Sequence, residues 1–166
     1  MKTDNDIRYQ ETVFSRWLSV IPGVLGLAIA GFGAWALASG SVVWASAGWT
    51  MLGTGLFATL VAASLTVLRI TVTTSSVKVR YGVFFYAAPL GEIERAYIDR
   101  ASGVSYGGFG VRFATVDNHR RVAYTVLDAP RIVLRLNRPK NREFVFSTRD
   151  SQTLMQTLQE LGVTTA

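Results

Sequence analysis

From Trp17 to Leu68 the chain carries no Asp, Glu, Lys, Arg or His, a run of fifty-two residues bounded by Arg16 and Arg69. A helix of a soluble protein turns a polar face to water, and this stretch has no charged residue to build one from. A helix crossing a hydrocarbon core of ~30 Å needs about 20 apolar residues. The run is therefore long enough for two crossings and a short turn. In lipid every backbone polar group must be paired within the protein, which makes a helical hairpin the economical solution.

Ser39-Gly40-Ser41 is the natural break, with Trp44 to Gly48 beyond it. It predicts helices over about 17–38 and 47–69. Pro22 falls in the first turns of the first helix, where a missing N–H costs least. All four tryptophans, Trp17, Trp35, Trp44 and Trp49, lie in this segment, at positions that suit membrane interfaces. A buried hairpin in a soluble protein would lack a polar face. A cleaved signal peptide would have an apolar core of only ~7–15 residues and no second span.

Three basic residues, Lys2, Arg8 and Arg16, precede the spans, and Arg69, Lys78 and Arg80 follow them, while the turn is uncharged. The positive-inside rule then puts both termini in the cytoplasm, at the cell (plasma) membrane. Small residues recur every fourth position: Gly26, Ala30, Ala34 and Ala38, then Thr54, Ala58, Ala62 and Thr66. Such stripes let helices approach closely, within one chain or between copies and partners. The spans hold no ionisable group, so nothing suggests a proton relay or ion path.

Residues 69–166 differ in kind. They hold fourteen basic and eight acidic side chains, which accounts for the whole net charge of +6. Apolar residues alternate with polar ones, as in Ile70/Val72, Val77/Val79/Tyr81, Ile132/Leu134/Leu136 and Phe144/Phe146. That period of two marks half-buried antiparallel strands. Turn signals at 74–76, 89–91, 117–119, 128–130 and 137–139 separate about seven strands: 69–74, 77–82, 84–88, 93–101, 110–116, 121–126 and 131–136, with 143–147 an eighth candidate. A final helix over about 150–162 can be capped by Asp150, Ser147 or Thr148 and presents Leu154, Leu158 and Leu161 on one side. The chain thus divides into a cytoplasmic segment 1–16, a transmembrane hairpin 17–69 and a cytoplasmic domain 70–166. The fold class is α+β: a helical hairpin followed by an antiparallel barrel or sandwich closed by one helix.

This arrangement resembles bacterial two-span membrane proteins with a pleckstrin-homology-like domain. The similarity is carried by Ile70-Thr-Val72, Val77-Lys-Val-Arg-Tyr-Gly82, Pro89-Leu-Gly-Glu-Ile93, Tyr106-Gly-Gly-Phe-Gly110-Val-Arg112, Arg131-Ile-Val-Leu-Arg-Leu136 and Phe144-Val-Phe-Ser-Thr148. It covers most of the chain through short motifs. It implies a pleckstrin-homology-like fold and little about activity, because that fold hosts lipid, peptide and protein binding alike.

Catalytic motifs fail on context. Gly53-Thr-Gly-Leu-Phe-Ala58 has the letters of a dinucleotide fingerprint but lies in a span, with no acid until Glu92. Gly103 to Gly108 has phosphate-loop spacing, but Phe109 and Gly110 stand where Lys and Ser or Thr belong. Its Tyr106 and Phe109 are candidate contact residues. His119, beside Asp117 and Asn118, reads as a solvated turn residue, and Glu92, Glu94 and Asp99 as solvent-facing. No metal-ligand set or acid–base pair emerges, so no cofactor and no catalysis are expected.

The strongest chemical feature is basic. Arg131, Arg135, Arg138, Lys140 and Arg142 lie within twelve residues with no acid among them. If strands 121–126 and 131–136 pair, Arg120 and Arg121 join them. Such a face suits anionic lipid headgroups, phosphate or an acidic protein. Nucleic acid is not expected, since no aromatics are interleaved with the cluster. The reading is a non-catalytic membrane protein whose domain binds a protein partner or another copy of itself, with anionic-lipid sensing as the alternative.

Overall fold

The computed structural model describes residues 6–40, 42–101, 106, 108, 110–116, 119–126, 129–137 and 142–166. The chain forms two compact units, Ser15–Thr66 and the pair of segments Met1–Phe14 and Val67–Ala166.

The first unit is a helical hairpin of α1 (Arg16–Ala38) and α2 (Val42–Ser64). Ser39 and Gly40 end α1, Gly40 with φ +69°. The second helix starts and ends five residues earlier than the sequence predicts. Nothing in Val42-Val-Trp-Ala-Ser46 breaks a helix, and the Thr66 hydroxyl turns back onto the Ala63 carbonyl at the other end. Pro22 is the seventh residue of α1, within its first two turns. Both helices contain stretches long and apolar enough to cross a membrane, Ser19–Ala38 and Trp44–Ser64.

The helices pack backbone to backbone. A Cβ on Gly55 would lie 2.5 Å from both the Ala30 nitrogen and the Gly26 carbonyl oxygen. A Cβ on Gly33 would lie 2.6 Å from the Leu52 nitrogen. The seam runs through Gly26, Ala30 and Gly33 on α1, and through Gly48, Gly55 and Ala62 on α2. This corrects the four-residue stripes. Steps of four residues drift about 40° per step on a helix of 3.6 residues per turn. Ala34, Ala38 and Thr54 therefore leave the seam and are exposed, and Ala58 is half-buried. Alternating steps of three and four hold the seam, as a seven-residue repeat does.

The second unit holds two sheets. The first has the order β1-β2-β3-β4, from Ile7–Phe14, Val67–Thr73, Ser76–Tyr81 and Phe84–Pro89. All its neighbours are antiparallel. Its inner face buries Val13, Leu68, Ile70, Val72, Val77, Val79 and Tyr81. Residues 7–14 are therefore the first strand of this unit rather than a free N-terminal segment, and the helical hairpin is spliced between two paired strands.

A short turn of 3-10 helix, Leu90–Glu92, leads to β5 (Ile93–Ile98). Then follow β6 (Gly110–Val116), β7 (His119–Thr125), β8 (Arg131–Leu136), β9 (Arg142–Ser147), α3 (Ser151–Glu160) and β10 (Thr164–Thr165). The second sheet has the order β10-β5-β8-β9-β7-β6. It is mixed, not antiparallel throughout, because β7 with β9 and β10 with β5 run parallel. Strands β7 and β8, whose pairing would have joined Arg120 and Arg121 to the basic cluster, are separated by β9. The core lies on the face bearing Ile132, Leu134, Phe144 and Phe146, with Leu154 and Leu158 of α3 buried. Asp150 caps α3 by accepting from the Thr153 N–H at 3.0 Å. Ser147 instead receives the Val126 N–H, and Thr148 donates to Glu11 of β1. Glu11 also accepts from the Tyr9 hydroxyl at 2.7 Å and the Arg149 N–H at 2.8 Å.

Candidate functional site

On the outer face of the second sheet, the register sets Arg121 of β7, Glu143 of β9 and Arg135 of β8 side by side. Glu143 is fully buried. It accepts from Arg121 Nε at 2.7 Å, from Arg135 Nε and Nη2 at 3.0 and 2.9 Å, and from the Tyr97 hydroxyl at 2.9 Å. Burial alone would raise its pKa. The bonds from Arg121, Tyr97 and Arg135 outweigh burial and hold the carboxyl below its ordinary value.

Asp99, just past the end of β5, is the second buried acid. Its carboxylate meets Arg131 Nε at 3.0 Å and Arg121 Nη1 at 3.6 Å. It also accepts from the Tyr106 hydroxyl at 3.0 Å and the Ala101 N–H at 3.0 Å. Tyr106 lies under the Arg131 guanidinium, with its ring centroid 5.3 Å away. Burial, with Asp99 beside it, pushes the Tyr106 hydroxyl up to about 12. Three arginines and two carboxylates thus close on one another, with Val133, Val145 and Ala123 packed beneath Tyr106.

This network redistributes the residues singled out from sequence. Asp99 is paired, not solvent-facing. Tyr106 is buried and hydrogen-bonded, so it offers no contact surface. Arg131 and Arg135 are held by internal acids, although Arg135 remains one-third exposed. Arg142 alone of the described cluster is freely exposed. Phe109, Arg138 and Lys140 lie outside the described residues, as does most of the Gly103–Gly108 loop. His119, half-exposed at the start of β7, borders an open recess of about 840 Å3 with Arg95, Arg100 and Arg135. Among the described residues no cluster of three or more His, Asp or Glu side chains could hold a metal ion.

A second recess, of about 500 Å3, opens on the opposite face near the β6 edge. Tyr86, Phe113, Val122 and Tyr124 line it, with Arg120 and Arg142 beside them. The two arginines are paired across the parallel strands β7 and β9. The wall is rigid: Tyr86 stacks on Phe144 at 4.0 Å and Tyr124 meets Phe144 edge-on at 5.2 Å. Phe113 is 80% exposed, and β6 is an edge strand of its sheet. One exposed aromatic, Phe113, over a half-buried Tyr86 and a buried Tyr124, with two arginines that make no ion pair among the described residues, forms a surface that can accept an apolar segment carrying acidic residues. Sequence reading missed this recess, because Tyr86 and Phe113 meet only through the packing of the two sheets. No protein-family model matches the chain, and neither does any curated protein.

Proposed function

We propose that this protein is a non-catalytic membrane protein: a two-span hairpin holds a pleckstrin-homology-like domain at the cytoplasmic face, where the domain binds a protein partner. One observation carries the membrane part. The helices leave large apolar side chains uncovered around their circumference, with Phe57 68% and Leu60 70% exposed. Lipid is the solvent in which such a surface is stable. The antiparallel first sheet and the terminal helix are compatible with the pleckstrin-homology-like reading.

The protein-binding part rests on the recess of Tyr86, Phe113 and Tyr124. A rigid aromatic wall flanked by arginines is the composition found at binding hot spots. Holding the recess at a membrane raises the effective concentration of a membrane-bound partner, so a weak contact suffices. The anionic-lipid alternative based on residues 131–142 is the weaker reading, since Arg131 and Arg135 already serve internal acids.

The test is capture of tagged full-length protein in mild detergent, read by mass spectrometry, beside a Phe113→Asp variant. Partners lost with Phe113→Asp and retained by a distant Thr74→Asp variant support the reading. An identical set of captured proteins from wild type and Phe113→Asp overturns it.

A further inference from the structure

The turns at the two ends of the first sheet have opposite chemistry. The β2–β3 turn is Thr74-Ser75, polar and exposed. The β3–β4 turn passes through Gly82, φ +60°, which permits a two-residue hairpin. There the residues that follow are Val83, Phe84 and Phe85, exposed by 76%, 44% and 59%. A hairpin tip in water is ordinarily built from Asn, Asp and Gly; this one ends in three large apolar residues.

The tip's position gives the reason. The Gly82 N–H bonds the Val67 carbonyl at the start of β2, and Val67 pairs with Phe14 at the end of β1. Helix α1 begins two residues after Phe14, and α2 ends three residues before Val67. Three residues reach at most about 11 Å, comparable to the ~5–8 Å headgroup layer on each side of a bilayer. Two rows further in from Val67, Arg69 and Arg80 face each other across β2 and β3, and Arg80 pairs with Phe85. Arg80 Nε also bonds the Gly82 carbonyl at 3.1 Å. Val83 and Phe84 at the end of the sheet, with the arginines in the next row beside Phe85, match the order of acyl boundary and headgroup phosphate.

We propose that the β3–β4 tip, Gly82 to Phe85 with Phe14 beside it, seats in the headgroup layer of the same membrane that the hairpin crosses. The inference rests on the membrane reading above. It makes the tip a third point of attachment of the chain to the bilayer, beside the two helices.

The chain has no cysteine, so single cysteines can carry an environment-sensitive fluorophore in the full-length protein. Val83→Cys and Phe85→Cys report on the tip, Thr74→Cys on the opposite end of the same sheet, and Phe57→Cys on the span. Each is reconstituted in vesicles of three parts phosphatidylcholine to one part phosphatidylglycerol, with lipids spin-labelled near the headgroup or in mid-chain. The expected result is headgroup-level quenching at positions 83 and 85 several-fold stronger than at 74, and mid-chain quenching at 57. Quenching at 57 with positions 83 and 85 no different from 74 overturns the tip anchor and leaves the membrane reading standing. Absence of quenching at 57 overturns both.

Discussion

The two units of this chain solve the same packing problem with opposite materials. Beyond Arg16 at its first position, the helical hairpin contains no ionisable side chain, and it closes by removing side chains at its seam, so that Gly55 meets Ala30 and Gly26 backbone to backbone. The β unit takes charges into its interior, where Glu143 is fully buried and Arg121 nearly so. A buried charge is tolerable when every partner is supplied, and a mixed sheet supplies them by setting three strands in register. Helices in lipid lack a hydrophobic drive toward one another and depend on close fit. The hairpin therefore tolerates no added volume at its seam, and the β unit tolerates no missing partner.

Removing a partner should do the greatest damage. Glu143→Ala leaves Arg121 buried without its principal acid and should cost about 3–5 kcal/mol. In a urea titration of the full chain in detergent, the β-sheet circular dichroism should be lost early. The fluorescence of the four tryptophans, all in the hairpin, should hold. Simultaneous loss of both signals would make the two units one cooperative block.

Adding volume should come next. Gly55→Val should cost about 1–3 kcal/mol or more through overpacking, seen as an earlier tryptophan transition with unchanged sheet signal. Acidification should separate the units more gently. The folded pKa of Glu143 lies below its ordinary value. Between the two values the unfolded chain holds more protons. The contribution of Glu143 is thus complete above the ordinary carboxyl range near ~4.3 and is lost as pH falls through the lower folded value. The urea midpoint of the sheet signal should fall across that window, and Glu143→Gln should flatten the dependence. The smallest effect tests the seam itself. A Cβ at Gly53 meets nothing within 4 Å, so Gly53→Ala should leave the tryptophan transition within about 0.5 kcal/mol of wild type.

What could be read in the sequence follows from how far each feature reaches along the chain. Strands β2 to β9 were legible because alternation and turn residues are local. Strand β1 carries the same alternation in Ile7, Tyr9 and Val13, but it pairs with residues 67–73, beyond the whole hairpin. Set before fifty-two uncharged residues, it reads as a flank. The parallel pairing of β7 with β9 leaves no local mark at all. The basic cluster misled for a related reason. Residues 131 and 135 lie on one face of the second sheet and 142 on the other, so nearness in sequence does not make a single surface. Asp99 looks solvated because its arginines, Arg121 and Arg131, stand 22 and 32 residues away.

The splice between β1 and β2 also dictates an order of events during synthesis. A chain grows at about 5–20 residues per second, so the segment Ser15–Thr66 takes roughly 3–10 s to emerge. Throughout that time β1 has been made and β2 has not, and the first sheet cannot begin. The antiparallel pairing further demands that Phe14 and Val67 end on the same side of any bilayer, which only an even number of crossings allows. On the membrane reading proposed above, closing the first sheet would act as a checkpoint on insertion: a chain whose second helix failed to return would leave β1 unpaired and its Val13 in water.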